Sequence, residues 1–281
     1  MKHYYPTYGQ SIKLILMMIP LSIVPAFILV VLHALESTIA IAITYVVIMS
    51  LTVAFGLNKR KDFSFSRASF PVSLLIIAFV FLMSFHFAIE PLSNLIPTPK
   101  NLNESISKMI QMPILAFITI VVLAPLLEEL LFRGIILEGY LKNYSPANSI
   151  LISSLLFALI HGNLAQGIGA LVMGIVVGLL YWRTKSLLFC IALHIINNLT
   201  AFLLLIADPE SIGSETSTRE LINNDSIYFL IYFMVCLLLA TTGWYLWVKY
   251  LKPVLELFNK KPFVYAEVPN PDQVDQVLNN T

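Results

Sequence analysis

Apolar residues in this chain run together in blocks, broken by short clusters of charge, Pro, Gly and Asn, and do not alternate with polar ones. A helix needs roughly 20 mostly apolar residues to cross a hydrocarbon core of about 30 Å. Eight blocks approach or meet that length: 11–32, 38–57, 70–89, 113–141, 148–163, 167–182, 186–206 and 226–250. The pattern predicts an all-α, polytopic integral membrane bundle of about eight transmembrane helices. It is expected to form a single membrane domain over 1–281 with a short polar tail at 263–281, where Pro269 and Pro271 argue against a further folded unit.

Composition strengthens this picture. With 58% hydrophobic and 12% charged residues and a mean hydropathy of +0.83, the chain lies outside the range of soluble globular proteins. The first block has no typical basic segment before it and no small-residue cleavage site after it, so it is expected to be retained, with the mature protein beginning at Met1. Cys190 and Cys236 fall inside apolar blocks and predict neither a disulfide framework nor a Cys-type zinc site. A net charge of +1 suggests no nucleic-acid partner.

The charges are sorted by loop. Counting from an inner N-terminus, Lys59, Arg60, Lys61, Arg67, Lys142, Arg183, Lys185 and Lys249 fall on one side, whereas Lys100, Lys108 and Arg219 are the basic residues on the other. The second side carries Glu36, Glu90, Glu104, Asp208 and Glu210. Cytoplasmic loops collect Lys and Arg, so a multi-pass protein of the cell membrane with both termini cytoplasmic is expected.

Ionisable groups deep in a membrane helix cost several kcal/mol unless paired or hydrated, which makes each a candidate for function. Glu128, Glu129 and Arg133 sit mid-block in PLLEELLFRGIILEGYL, His161 ends LLFALIHGN, and His194 and Asn198 lie in LFCIALHIINNLTAF. At 1.5 Å per residue, Glu128 and His161 both lie roughly 20 Å from the turn at 142–147 that joins their helices, and His194 and Asn198 lie about 12 to 18 Å above Ser186. Three helices are therefore expected to bring these groups to one depth.

Glu129 and Arg133, at i and i+4, can pair on one face, while Glu128 points about 100° away and is expected to stay free for chemistry. Pro125 has no N–H to donate, so the carbonyl of Val121 is expected to be unbonded and the helix kinked one turn before Glu128. Singly, the Glu129–Arg133 pair, His161 and Asn198 each have a structural reading as ion pair, helix-end histidine and interhelical glue. Together at one depth they favour a site. His33 and His86 read as interfacial, Asn197 as packing, and Ala170, Gly174 and Gly178 as a small-residue packing ridge.

At these residues the sequence resembles the CPBP family, the CAAX proteases and bacteriocin-processing enzymes also called Abi proteins. Its signature of EExxxR, FxxxH and HxxxN/D is matched by Glu128-Glu129-x-x-x-Arg133, Phe157-x-x-x-His161 and His194-x-x-x-Asn198, over a core of about 113–206. The resemblance implies an intramembrane endopeptidase acting on membrane-bound or amphipathic peptides within the lipid bilayer. Glu128 would be the base that activates water, His161 would assist it, His194 and Asn198 would polarise the carbonyl and hold its oxyanion, and Arg133 would act through Glu129. A metal-free mechanism is favoured over one with zinc on Glu128, His161 and His194, because no HExxH is present and Asn198 is a poor zinc ligand. Bacteriocin processing and immunity are open roles. The rival functions are a non-catalytic scaffold or immunity protein and a proton-coupled transporter, though no internal repeat supports the latter.

Overall fold

In a bilayer every backbone N–H and C=O must be satisfied within the protein, so long apolar runs become helices. The computed structural model describes residues 4–31, 38–60, 63, 72–93, 96, 100–207, 226–246 and 248–249, and these contain helices and no strand. They are α1 (Tyr8–Leu16), α2 (Met18–Val31), α3 (Thr38–Lys59), α4 (Val72–Ser93), α5 (Lys100–Ile110), α6 (Pro113–Asn143), α7 (Pro146–Leu159), α8 (Leu164–Thr184), α9 (Leu187–Ala207) and α10 (Ser226–Leu246). The chain is an integral membrane protein.

Among the described residues, five stretches are long and apolar enough to cross a membrane: Tyr8–Pro25, Thr38–Lys59, Pro113–Asn143, Leu164–Thr184 and Leu187–Ala207. Three of the eight expected spans correspond to shorter apolar helices, Val72–His86, Pro146–Leu159 and Leu230–Leu246. In α7 the reason is local. Gly162 takes a positive φ of 69°, and Asn163 caps the next helix by accepting the N–H of Gln166 at 2.8 Å, so α7 stops at Leu159 short of the expected 163. Large apolar side chains such as Ile23, Val24, Phe27, Ile43, Ile114, Leu230 and Leu238 are exposed, as suits helices whose solvent is lipid. The expected tail at 263–281, the acidic loop residues Glu36, Asp208 and Glu210, and basic residues such as Lys61 and Arg67 lie outside the described residues.

The chain forms two compact units. The first comprises Met1–Phe65, Lys100–Ser153 and His194–Ile212. In it α3 packs against both α2 and α6. Gly56 permits this approach, since a Cβ there would lie 2.8 Å from Cδ1 of Ile135. A small core of Ala116, Val121 and Phe202, flanked by Met109, Ile120, Ile195 and Leu199, joins α5, α6 and the second half of α9. That core fixes the height at which α9 meets the charged part of α6.

The other end of α6 is clasped by the chain start. Asn143 accepts the N–H of Tyr4 at 2.9 Å and donates to its carbonyl at 2.7 Å, and Tyr8 stacks on Tyr144 with ring centroids 3.8 Å apart. Gly139 makes room for this segment. A Cβ at 139 would lie 2.6 Å from the nitrogen of Pro6 and 2.7 Å from the carbonyl oxygen of Tyr5. Helix propensity favours Ala over Gly by about 1 kcal/mol, whereas overpacking costs about 1–3 kcal/mol. Gly139→Ala is expected to lower the thermal melting temperature in detergent, and a rise would contradict the docking.

The second unit comprises Ser66–Pro99, Ser154–Leu193 and Gly213–Thr281. Within it α4 packs against α8 and α10. Ala170, Gly174 and Gly178 are all buried, and a Cβ on Gly174 would meet the Cβ of Ser154 at 2.8 Å. The ridge thus brings two backbones together, the usual role of small residues between membrane helices.

Candidate active site

α6 is irregular on both sides of its glutamates. Phe117–Leu123 and Leu130–Leu137 are π-helical, and Ala124–Glu129 between them is α-helical. Such π segments inside α-helices recur at functional sites. The N–H of Ala124 bonds to the carbonyl of Thr119, five residues back, and Pro125 has no N–H. The carbonyl of Ile120 therefore loses both its i+4 and i+5 donors. Asn198 Nδ2 supplies the missing hydrogen at 2.9 Å. The sequence pointed to the Val121 carbonyl; the π register also deprives Ile120, one residue earlier, and it is there that Asn198 donates.

Glu129 is fully buried and Arg133 nearly so, and Arg133 Nη1 donates to Glu129 Oε1 at 2.8 Å, one helical turn on. The same oxygen lies 2.8 Å from Nδ1 of the buried His194. An ionised carboxylate only accepts, so Nδ1 carries the hydrogen in this contact and Nε2 is the nitrogen turned outward. His194 Nε2 faces Glu128 Oε2 at 3.7 Å. The Glu129 Oε2 atom meets no donor among the described residues.

Glu128 is not left free, as its direction on the helix had suggested. The hydroxyl of Tyr45, on α3, donates to its Oε1 at 2.5 Å. Sequence reasoning missed Tyr45 because a tyrosine in an apolar helix reads as packing; its signal was a hydroxyl placed mid-block in IAITYVVIMS. α3 also supplies Arg60, whose Nη1 bonds to the carbonyl of Gly134 in the second π segment.

One unit thus brings together Glu128, Glu129, Arg133 and His194, with Asn198 one turn beyond His194. Asn197 donates to Asn198 Oδ1 at 3.1 Å, so Asn198 spends one amide hydrogen on Ile120 and keeps a second. His161 belongs to the second unit. Its Nδ1 lies 2.8 Å from the carbonyl of Phe157, and its ring stands edge-on to that of Phe157 with centroids 5.1 Å apart. The FxxxH spacing therefore lets Phe157 orient the imidazole twice over, through its carbonyl and through its ring.

Residues 110–200 match the family model of type II CAAX prenyl endopeptidases, Rce1-like. The match is consistent with the CPBP resemblance and spans all three motifs. The family so matched is one of membrane-embedded proteases, and the match covers about a third of the chain. No curated protein and no solved structure matches the chain. Tyr45 and Arg60 lie outside the Rce1-like stretch and still contact its helix.

A zinc ion would need three protein donors, from His, Cys or carboxylate side chains, in a catalytic site. Among the described residues no three such side chains come together to hold a metal ion. Glu128 and His194 offer two converging donors, and His194 Nδ1 is already committed to Glu129. His161, the third residue of the expected zinc set, belongs to the second unit, and no step below passes through a metal.

Proposed function

We propose that this protein is an intramembrane endopeptidase that hydrolyses membrane-associated or amphipathic peptides by glutamate-activated water attack. The observation that carries the reading is the fixed imidazole: Glu129, neutralised by Arg133, holds His194 Nδ1 so that Nε2 faces Glu128 at 3.7 Å. A water lying beside this contact can bond to both atoms. Glu128 takes a proton from such a water, and the hydroxide oxygen bonds to the scissile carbonyl carbon. The carbonyl oxygen becomes an oxyanion, which the second amide hydrogen of Asn198 stabilises. The proton passes from Glu128 through His194 Nε2 to the leaving amine as the C–N bond breaks, and Glu129 offsets the charge on the ring while Nε2 is protonated.

The family signature also implies a part in the reaction for His161. Within its own unit the ring is oriented by the bond of Nδ1 to the Phe157 carbonyl. The sorting of Lys and Arg supports a cell-membrane protein with both termini cytoplasmic. The test is cleavage by the purified chain in detergent, without any ion gradient. The probe is a peptide ending in a farnesylated Cys-aliphatic-aliphatic-X sequence, run beside its unprenylated form. Cleavage of either supports the peptidase, and cleavage of the farnesylated form alone assigns it to CAAX substrates. Intact probe with folded protein would favour a scaffold.

A further inference from the structure

The two oxygens of Glu128 keep different company. Oε1 accepts a hydrogen bond from Tyr45 at 2.5 Å, whereas Oε2 faces His194 Nε2 across 3.7 Å. The last torsion of a glutamate is broad and roughly two-fold, so an untethered carboxylate could present either oxygen. A phenol has one hydrogen to donate and a carboxylate can only accept, so the bond to Tyr45 fixes the choice. α3 is held against α6 at Gly56, where a Cβ would lie 2.8 Å from Ile135 Cδ1, and this contact keeps the Tyr45 hydroxyl in reach.

We propose that Tyr45 is a positioning residue for the reaction: its hydroxyl holds Oε1 of Glu128, so that Oε2 alone receives the proton of the attacking water. This rests on Glu128 being the base. Tyr45 lies on a helix outside the residues 110–200 that match the family model.

The experiment compares wild type, Tyr45→Phe and Glu128→Gln as full-length chains in detergent, with the farnesylated probe peptide. Losing a hydrogen bond to a charged group is expected to lower kcat about 10- to 100-fold, with KM within about twofold of wild type. The infrared carboxylate band that disappears in Glu128→Gln should shift in Tyr45→Phe, and the melting temperature should not. Fluorotyrosine at position 45 keeps the hydroxyl and donates more strongly, so it should move that band in the opposite direction, even if Tyr45→Phe folds poorly. An unchanged kcat in folded Tyr45→Phe, or a band unmoved by either replacement, would overturn the role of Tyr45 while leaving Glu128 as the base. Wild-type cleavage by Glu128→Gln would instead overturn the base assignment itself.

Discussion

Glu128→Gln is expected to lower probe cleavage by roughly 10²–10⁴-fold, the usual contribution of a general base. The substitution keeps the shape of the side chain and an oxygen that can accept from Tyr45, so the packing of α3 on α6 should survive and thermal melting should stay close to wild type. What is lost is the capacity to take a proton from water. A scaffold or immunity protein would lose nothing by this change. Full probe cleavage, or a collapse of folded protein matching the loss of rate, would contradict the role given to Glu128.

Arg133→Met is expected to have the largest effect on stability. Glu129 is fully buried, and Arg133 is 2% exposed and bonded to it at 2.8 Å. Removing one partner of a buried pair leaves an uncompensated charge and costs about 3–5 kcal/mol. The shape of the loss distinguishes charge from packing. Combining Arg133→Met with Glu129→Gln removes the stranded charge, so the double variant should melt above Arg133→Met alone. It should remain inactive, because His194 Nδ1 would no longer meet a carboxylate. Additive losses in the double variant would show that Arg133 matters for its packing alone.

What the sequence made legible was whatever depends on spacing along one helix. Glu129 with Arg133 at i and i+4 is such a case, and so is the pairing of Phe157 with His161. The partners of Glu128 and Asn198 depend on how helices register against each other, which periodicity does not encode. Tyr45 lies more than eighty residues before Glu128 and carries no charge, so nothing in the pattern linked them. Pro125 announced an irregular helix, but the loss at the Ile120 carbonyl turned on a π segment that a 3.6-residue period cannot foresee.

The same limit explains α5. Leu102, Ile106 and Met109 recur at helical spacing in KNLNESISKMI, yet the stretch lies between two apolar blocks and counted only through its loop charges Lys100, Glu104 and Lys108. Apolar length placed the five long helical stretches, whereas the end of α7 was decided by local capping at Gly162 and Asn163.

The most direct measurement of the central claim is a mass spectrum of the farnesylated probe after incubation with purified wild-type protein in ¹⁸O-labelled water. Hydrolysis at Glu128 predicts a truncated peptide whose new carboxylate carries one ¹⁸O atom, with none formed by Glu128→Gln. Intact probe in the presence of folded wild-type protein, or labelled product formed at equal rates by both proteins, would contradict it.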